Sequence, residues 1–173
     1  MNCKNQESQK RLLILGAGQY GQVAYETAEA MGCFERIDFL DDQNPIGVGK
    51  LTDYNTMISD YNYAFVAIGN PNMRLELLQK LEKCGYELAV LIHPKGYVSK
   101  SAYIAEGSIV EPMAVVQAGA RVERGVLLCA GCVVNHNSTV QQGCQIDCNA
   151  VVSARGTVRE KTKVSCGDVV FPL

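Results

Sequence analysis

Tryptophan is absent from the 173 residues of the chain, and phenylalanine occurs only four times. A core without large aromatic rings must be filled by small and branched aliphatic side chains, and valine, alanine and glycine are correspondingly abundant. No apolar run approaches the ~18 residues that a membrane-spanning helix needs, and Met1–Lys10 is polar rather than a secretion leader. Basic blocks are missing too: 16 basic and 18 acidic residues leave a net charge of −2, which removes the attraction on which nucleic-acid binding rests. At 47% hydrophobic and 20% charged the chain is too apolar for compositional disorder. Its eight cysteines fit no small disulfide scaffold, so they read as small apolar residues in a reducing compartment. These absences predict a soluble cytoplasmic protein with neither nucleic acid nor membrane as partner. The length allows one ordinary domain or two small ones.

What is present is a repeat. From Tyr97 onward the sequence divides into six-residue units without an insertion. The second position of the unit is occupied by Val98, Ile104, Val110, Val116, Val122, Leu128, Val134, Val140, Ile146, Val152, Val158, Val164 and Val170, aliphatic every time. The sixth position is small except at Asp168, and the fifth is mostly Gly or Asn. A sixth-position residue and the next second-position residue are two apart, so both point inward from a strand, while Gly and Asn accept the positive φ of a tight corner. Each unit is therefore one short strand and one corner. Three units close a triangular coil of about 18 residues, and coils stacked at ~4.8 Å form a parallel β-helix over residues 97–173. The repeat runs on through Phe171-Pro172-Leu173 with no change of pattern, which predicts an uncapped last coil, packed on another molecule or leaving a ligand site incomplete.

The first half has a different period. Arg11–Leu15 reads as a buried strand, followed by Gly16-Ala17-Gly18-Gln19-Tyr20-Gly21 and an amphipathic helix running through Met31 to a Gly32 stop. Arg36–Leu40 is a second strand, Tyr63–Ile68 a third, Met73–Cys84 a second helix stopped by Gly85, and Leu88–Ile92 a last strand. Alternating strands and helices predict a small parallel sheet with helices on its faces over residues 11–92. His93-Pro94-Lys95-Gly96 then forms the junction to the β-helix, with His93 in a structural role.

Gly16, Gly18 and Gly21 form GxGxxG between a strand and a helix, where backbone can approach a phosphate and the helix N-terminus offers its N–H groups. The same glycines also suit tight strand-to-helix packing, and both explanations stay open. About 82 residues is roughly one mononucleotide-binding half, so a nucleotide or nucleotide-sugar fits better than a dinucleotide. Asp41 and Asp42, at the end of the second strand, are placed to accept from a ribose or base, or to form a solvated acidic turn. Zinc at Cys129 and Cys132 is excluded by position: the third-position thiol of Cys129 faces out and the sixth-position thiol of Cys132 faces in, so no metal is expected. Cys148 and Cys166 occupy the same fourth position one coil apart, close enough for a disulfide, though free thiols are expected in a cytoplasm.

GAGQYGQV, the FLDD ending the second strand, AIGNPNMR after the third, LIHP at the junction and the hexapeptide tail together resemble sugar acyltransferases of the sialic-acid O-acetyltransferase and bacillosamine-pathway N-acetyltransferase type. The resemblance implies a left-handed β-helix, a handedness the repeat alone does not supply, and a homotrimer. It also implies acetyl-CoA as donor, bound between subunits, and a nucleotide-sugar held by the N-terminal domain through Gly16, Gly18, Gln19, Tyr20, Gly21, Asp41, Asp42, Gly69 and Asn70. Active members carry a catalytic base in a V-x-H-[DE]-C unit one unit after an Asn. With Asn135 aligned to that Asn and Cys144 to the Cys, Gln142 and Gly143 stand where base and acid are expected, and Ala150 falls where some relatives carry a second His. Gln cannot take a proton at neutral pH.

His136 is the one histidine of the β-helix, and it is the candidate replacement base. It occupies the fourth position of the unit before Gln142, hence a different edge of the prism; the vertical neighbours of Gln142 are Arg124 and Glu160. Two functions follow: acetyl transfer to an amino or hydroxyl group of a nucleotide-linked sugar, or a catalytically degenerate homologue that binds the sugar nucleotide as a sensor or assembly subunit.

Overall fold

The computed structural model describes residues 10–172; residues 1–9 of the polar tail, and Leu173, lie outside the described residues. The chain opens with β1 (Arg11–Leu15), α1 (Gln19–Met31) and β2 (Arg36–Leu40), followed by a 3-10 turn at Leu51–Asn55, β3 (Tyr63–Val66), α2 (Pro71–Lys83) and β4 (Glu87–Leu88). The strands form a parallel sheet in the order β2-β1-β3-β4. Leu12, Leu13, Ile14 and Leu15 are all fully buried because β1 is central and both its faces are covered. Leu12 and Ile14 pack with Ala24 and Ala28 of α1, whereas Leu13 and Leu15 pack with Leu77, Leu78 and Leu81 of α2. Gly32 ends α1 in the left-handed conformation (φ 63°), where a Cβ would be strained.

Strand β3 ends at Val66 rather than Ile68 and α2 at Lys83 rather than Cys84, and two larger differences from the expected boundaries have a physical cause. Helix α2 begins at Pro71 rather than Met73, because the Asn70 side chain accepts from the Asn72 and Met73 N–H groups (3.0 and 3.1 Å) and Pro71 supplies a preset first helical residue. The single strand expected over Leu88–Ile92 is two strands. Glu87–Leu88 pairs with Tyr63–Ala64 in the α/β sheet, while β5 (Leu91–Ile92) pairs with Ile109–Val110 and starts the β-helix. The chain thus passes from sheet to prism at Ala89–Val90, one strand before Tyr97.

From Leu91 the chain winds into a three-sided parallel β-helix. The first face stacks Leu91–Ile92, Ile109–Val110, Leu127–Leu128, Gln145–Ile146 and Lys163–Val164. The second stacks Tyr97–Val98, Val115–Val116, Val133–Val134, Val151–Val152 and Val169–Val170. The third stacks Tyr103–Ile104, Arg121–Val122, Thr139–Val140 and Thr157–Val158. Every pair is offset by 18 residues, as Val116↔Val134 and Val134↔Val152 show. The interior is the ladder Val110, Val116, Val122, Leu128, Val134, Val140, Ile146 and Val152, all fully buried, with Ala114, Ala120, Cys132, Cys144 and Ala150 between the rungs. Burying each such aliphatic side chain contributes ~1.5–3 kcal/mol.

The α/β unit sits on the first face and on the edge before it. Outward-pointing Ile109 and Leu127 are fully buried in the cluster that includes β1 and α1. On the adjoining edge three stacked glycines receive α2: a Cβ on Gly107 would come within 2.6 Å of Leu78, one on Gly125 within 2.9 Å of Leu78, and one on Gly143 within 3.0 Å of Leu75. The second face is uncovered, and its outward row is apolar throughout: Tyr97, Val115, Val133, Val151 and Val169.

Candidate functional site

At the C-terminal ends of β1 and β3, neighbours in the middle of the parallel sheet, two glycine-bearing loops meet. Gly16 has φ 102° and a Cβ there would lie 2.9 Å from the Ala67 carbonyl; a Cβ on Gly21 would lie 2.2 Å from the Gly16 carbonyl. These two glycines let α1 approach the strand. Gly18 is different: its φ is −74° and an added Cβ would meet nothing within 4 Å, as is also true of Gly69 after β3. Packing gives no reason for either, and both are exposed. Gly18 is moreover the N-cap of α1 with no side-chain cap, so the first N–H groups of that helix face open space, as an anion site requires. Exposed Gln19 and Asn70 flank the same opening.

The acidic pair does something other than wait for a ribose. Asp41 accepts from Ala17 N–H through Oδ2 (2.8 Å) and from Gln43 and Asn44 N–H through Oδ1 (2.8 Å each). The three backbone donors hold its carboxyl below the ordinary aspartate range. Asn44 completes the brace by donating to the Ala17 carbonyl at 2.6 Å. Asp41 therefore shapes the glycine loop. Asp42 is exposed and accepts one N–H, from Leu51, through Oδ1 (3.0 Å), which leaves Oδ2 free to meet a ligand.

Tyr20 points away from the opening, its hydroxyl buried beside the β-helix. Burial and the neighbouring Glu111 carboxylate push its pKa well up, and Glu111, itself 7% exposed, is pushed up by desolvation. Tyr20 thus belongs to the contact between the two parts. Glu111, Cys129 and Asp147 stack above one another on the first face, the Cys129 thiol reaching Asp147 Oδ1 at 3.9 Å, and Gln145 and Lys163 also hold Asp147 (2.6 and 3.1 Å). Sequence reasoning passed over this strip, whose signal is the third position of three successive coils.

The β-helix carries the other half of the chemistry. Gln142 and Gly143, where base and acid were expected, lie on the edge occupied by α2. Gly143 is buried and its carbonyl accepts from Arg74 (2.7 Å), while Gln142 is tied to Glu160 (2.9 Å) as its vertical neighbour. Ala150, matched to the second histidine, is a fully buried rung of the interior. Neither Gln142 nor Gly143 offers a group that can take a proton on the edge that α2 borders, and Ala150 faces the core. One unit earlier, Val134-Asn135-His136-Asn137-Ser138 carries the histidine of the β-helix.

His136 stands exposed on the edge between the second and third faces. Its backbone is fixed twice: its N–H donates to Asn135 Oδ1 (2.8 Å), and its carbonyl accepts from Arg155 N–H of the next coil (3.1 Å). The Asn137 amide lies 3.2 Å from His136 Nδ1. This edge is opposite the first face, so the chain's own glycine loop and its own His136 lie on opposite sides of the prism. His93 by contrast accepts Lys95 N–H at the junction through Nδ1 (3.0 Å), holding the turn into the β-helix. Cys129 and Cys132 are both buried but on opposite sides of the wall, and exposed Cys148 and Cys166 are free thiols on adjacent coils. Among the described residues no group of three His, Cys, Asp or Glu is arranged to hold a metal ion.

The molecule is thus a mononucleotide-type α/β unit fused to a hexapeptide β-helix with an exposed edge histidine. Residues 11–81 match the family model described as the PglD N-terminal domain. Over 111 residues the chain is 30% identical to UDP-N-acetylbacillosamine N-acetyltransferase of Bacillus subtilis, covering 58% of this chain and 51% of that protein; it spans about half the length of this curated relative. Among solved structures, the acetyltransferase domain of PglB from Neisseria gonorrhoeae, in complex with acetyl coenzyme A, is 32% identical with a TM-score of 0.88, over 93% of this chain and 82% of that one. A histidine-to-asparagine variant of perosamine N-acetyltransferase from Caulobacter crescentus, in complex with CoA and GDP-perosamine, shares the fold at 24% identity and a TM-score of 0.68, over 93% and 88% of the two chains. The chain belongs to the sugar acyltransferase family of the sialic-acid O-acetyltransferase and bacillosamine-pathway type, and its prism is that family's left-handed β-helix.

Proposed function

We propose that this protein transfers an acetyl group from acetyl-CoA to an amino group of a nucleotide-linked sugar. The observation that carries the reading is the pair of exposed glycines without a packing reason, Gly18 and Gly69, beside the uncapped start of α1, in a chain that also presents His136 on an open β-helix edge. The division of labour follows the two parts of the molecule, with the α/β unit up to Leu88 holding the nucleotide and the β-helix from Leu91 onward carrying the transfer. The neutral amine attacks the thioester carbonyl and its proton passes to His136 Nε2. The C–S bond breaks, and the proton then goes to the departing thiolate to give CoA. Corner N–H groups of the coils stabilise the oxyanion.

Because the glycine loop and His136 lie on opposite sides of one prism, the base for each nucleotide site comes from a neighbouring copy. The apolar row Tyr97, Val115, Val133, Val151 and Val169 borders the His136 edge and is the surface through which a homotrimer forms. We place the protein in the cytoplasm, where free thiols persist; no helix among the described residues is long and apolar enough to cross a membrane.

Gln142 and Gly143, in the places where the family base and acid are expected, favour the second reading, a homologue that binds the sugar nucleotide without turning it over. Thiol release from acetyl-CoA, measured against UDP- and GDP-linked amino sugars, decides between them. Release abolished by His136→Ala supports the transferase; nucleotide-sugar binding without release supports the sensor or assembly subunit.

A further inference from the structure

Arg74 is fully buried, yet no carboxylate among the described residues pairs with it. Its guanidinium donates to four carbonyls: Gly125 through Nε (2.8 Å), Ile68 and Gly69 through Nη1 (2.7 and 2.9 Å), and Gly143 through Nη2 (2.7 Å). A guanidinium has five N–H donors, so one on Nη2 is unclaimed. A buried cation satisfied by dipoles alone keeps its full charge without a counter-charge.

Beside it lies a small cavity of about 100 Å³ between the loop after β3 and the top of the β-helix, lined by Gly69, Pro71, Arg74, Gln145, Lys161 and Lys163 among others. Lys161 forms no ion pair among the described residues, and Lys163 shares Asp147 (3.1 Å) while its side chain remains 62% exposed. No acidic residue lines the cavity. On this edge the fifth position is glycine in three successive coils, Gly107, Gly125 and Gly143, and lysine only at the fourth, where Lys161 is held at φ 59° directly above Gly143.

We propose that this cavity is a phosphate subsite built from both parts of the molecule, with Arg74 as its buried positive floor and Lys161 and Lys163 as its exposed clamp. It opens where Gly69 ends β3, beside the loops that the proposed nucleotide site uses, so the diphosphate of the nucleotide-sugar is its occupant. A phosphate of CoA is the other source of the same chemistry. The inference rests on the transferase reading for its ligand, but its test does not depend on turnover.

The test is calorimetric titration of inorganic pyrophosphate, UDP, GDP and CoA into the wild-type chain and into Lys161→Gly with Lys163→Gln. Glycine fits the left-handed backbone at 161, so the double variant keeps its fold and its melting temperature. The expected result is about tenfold weaker binding of pyrophosphate and of whichever nucleoside diphosphate the wild type prefers, with CoA unchanged. Weakened CoA binding with intact nucleoside diphosphate binding supports the subsite and assigns its phosphate to CoA. Unchanged affinity for all of them in the double variant overturns the subsite and leaves the transferase reading standing. A wild-type chain that binds none of the four overturns both.

Discussion

The Asn137 side-chain amide stands 3.2 Å from His136 Nδ1, both on the open edge of the prism. Turned with its oxygen to the ring, the amide accepts Nδ1–H and leaves Nε2 free to take a proton. Turned the other way it donates to Nδ1 and places the proton on Nε2, where no base action is available. A carboxylate allows only the first arrangement.

Asn137→Asp should therefore raise kcat, by about tenfold, since base catalysis as a whole is worth ~10²–10⁴. Asn137→Ala should lower kcat with little change in the KM for acetyl-CoA. Steady-state kinetics over pH 6–9 check both, and an Asp variant slower than wild type contradicts the assigned geometry.

Gly119 lies one coil from this pair. A Cβ there would sit 2.4 Å from Asn137 Oδ1, and its φ is 67°. Gly119→Ala should lose activity as well as ~1–2 kcal/mol of stability for the left-handed backbone. Gly167→Ala carries the same backbone strain (φ 75°) but meets nothing within 4 Å, so it should lose stability with no separate effect on kcat. Thermal melts beside kinetics separate the two.

Within the glycine loop, Gly18→Val and Gly21→Val should behave oppositely. The first enters open space and should melt like wild type while failing to bind a sugar nucleotide. The second would drive Cβ to 2.2 Å from the Gly16 carbonyl and should unfold the α/β unit. Equal melting temperatures for the two variants would remove the distinction between packing and ligand glycines.

Asp41→Ala removes the acceptor of three N–H groups and should lower stability by ~1–3 kcal/mol at neutral pH. The native carboxyl is held below its unfolded value, so its contribution is complete above about pH 4 and is lost as pH falls through the native value. Melts of wild type and variant should differ by a constant amount from pH 7 to pH 5 and converge towards pH 3. A difference that grows on acidification contradicts the brace.

The coiled architecture was legible in the sequence because Val98 through Val170 repeat a single inward position, and that position alone fixes the 18-residue register. Which edge of the prism stays open was not. Each unit looks like its neighbours, and only the docking of Leu75 and Leu78 on Gly107, Gly125 and Gly143 shows which edge α2 fills and which stays open at His136. The rung at Leu91–Ile92 was hidden because Ala89–Val90 carries no corner residue between sheet and prism. Asp41 was recognised as part of the site, but its role depends on where the Ala17, Gln43 and Asn44 N–H groups converge, which spacing does not reveal. The Arg74 contacts join residues 51 and 69 positions apart and leave no local pattern.

Co-expression of a Gly18→Val chain with a His136→Ala chain probes the shared site. Each variant alone should be inactive. Where every nucleotide site borrows its histidine from another copy, random mixing restores about a quarter of wild-type activity, because a quarter of the contacts pair an intact loop with an intact histidine. No recovery from mixed assemblies of confirmed composition would show that loop and histidine act within one chain, and would contradict the account.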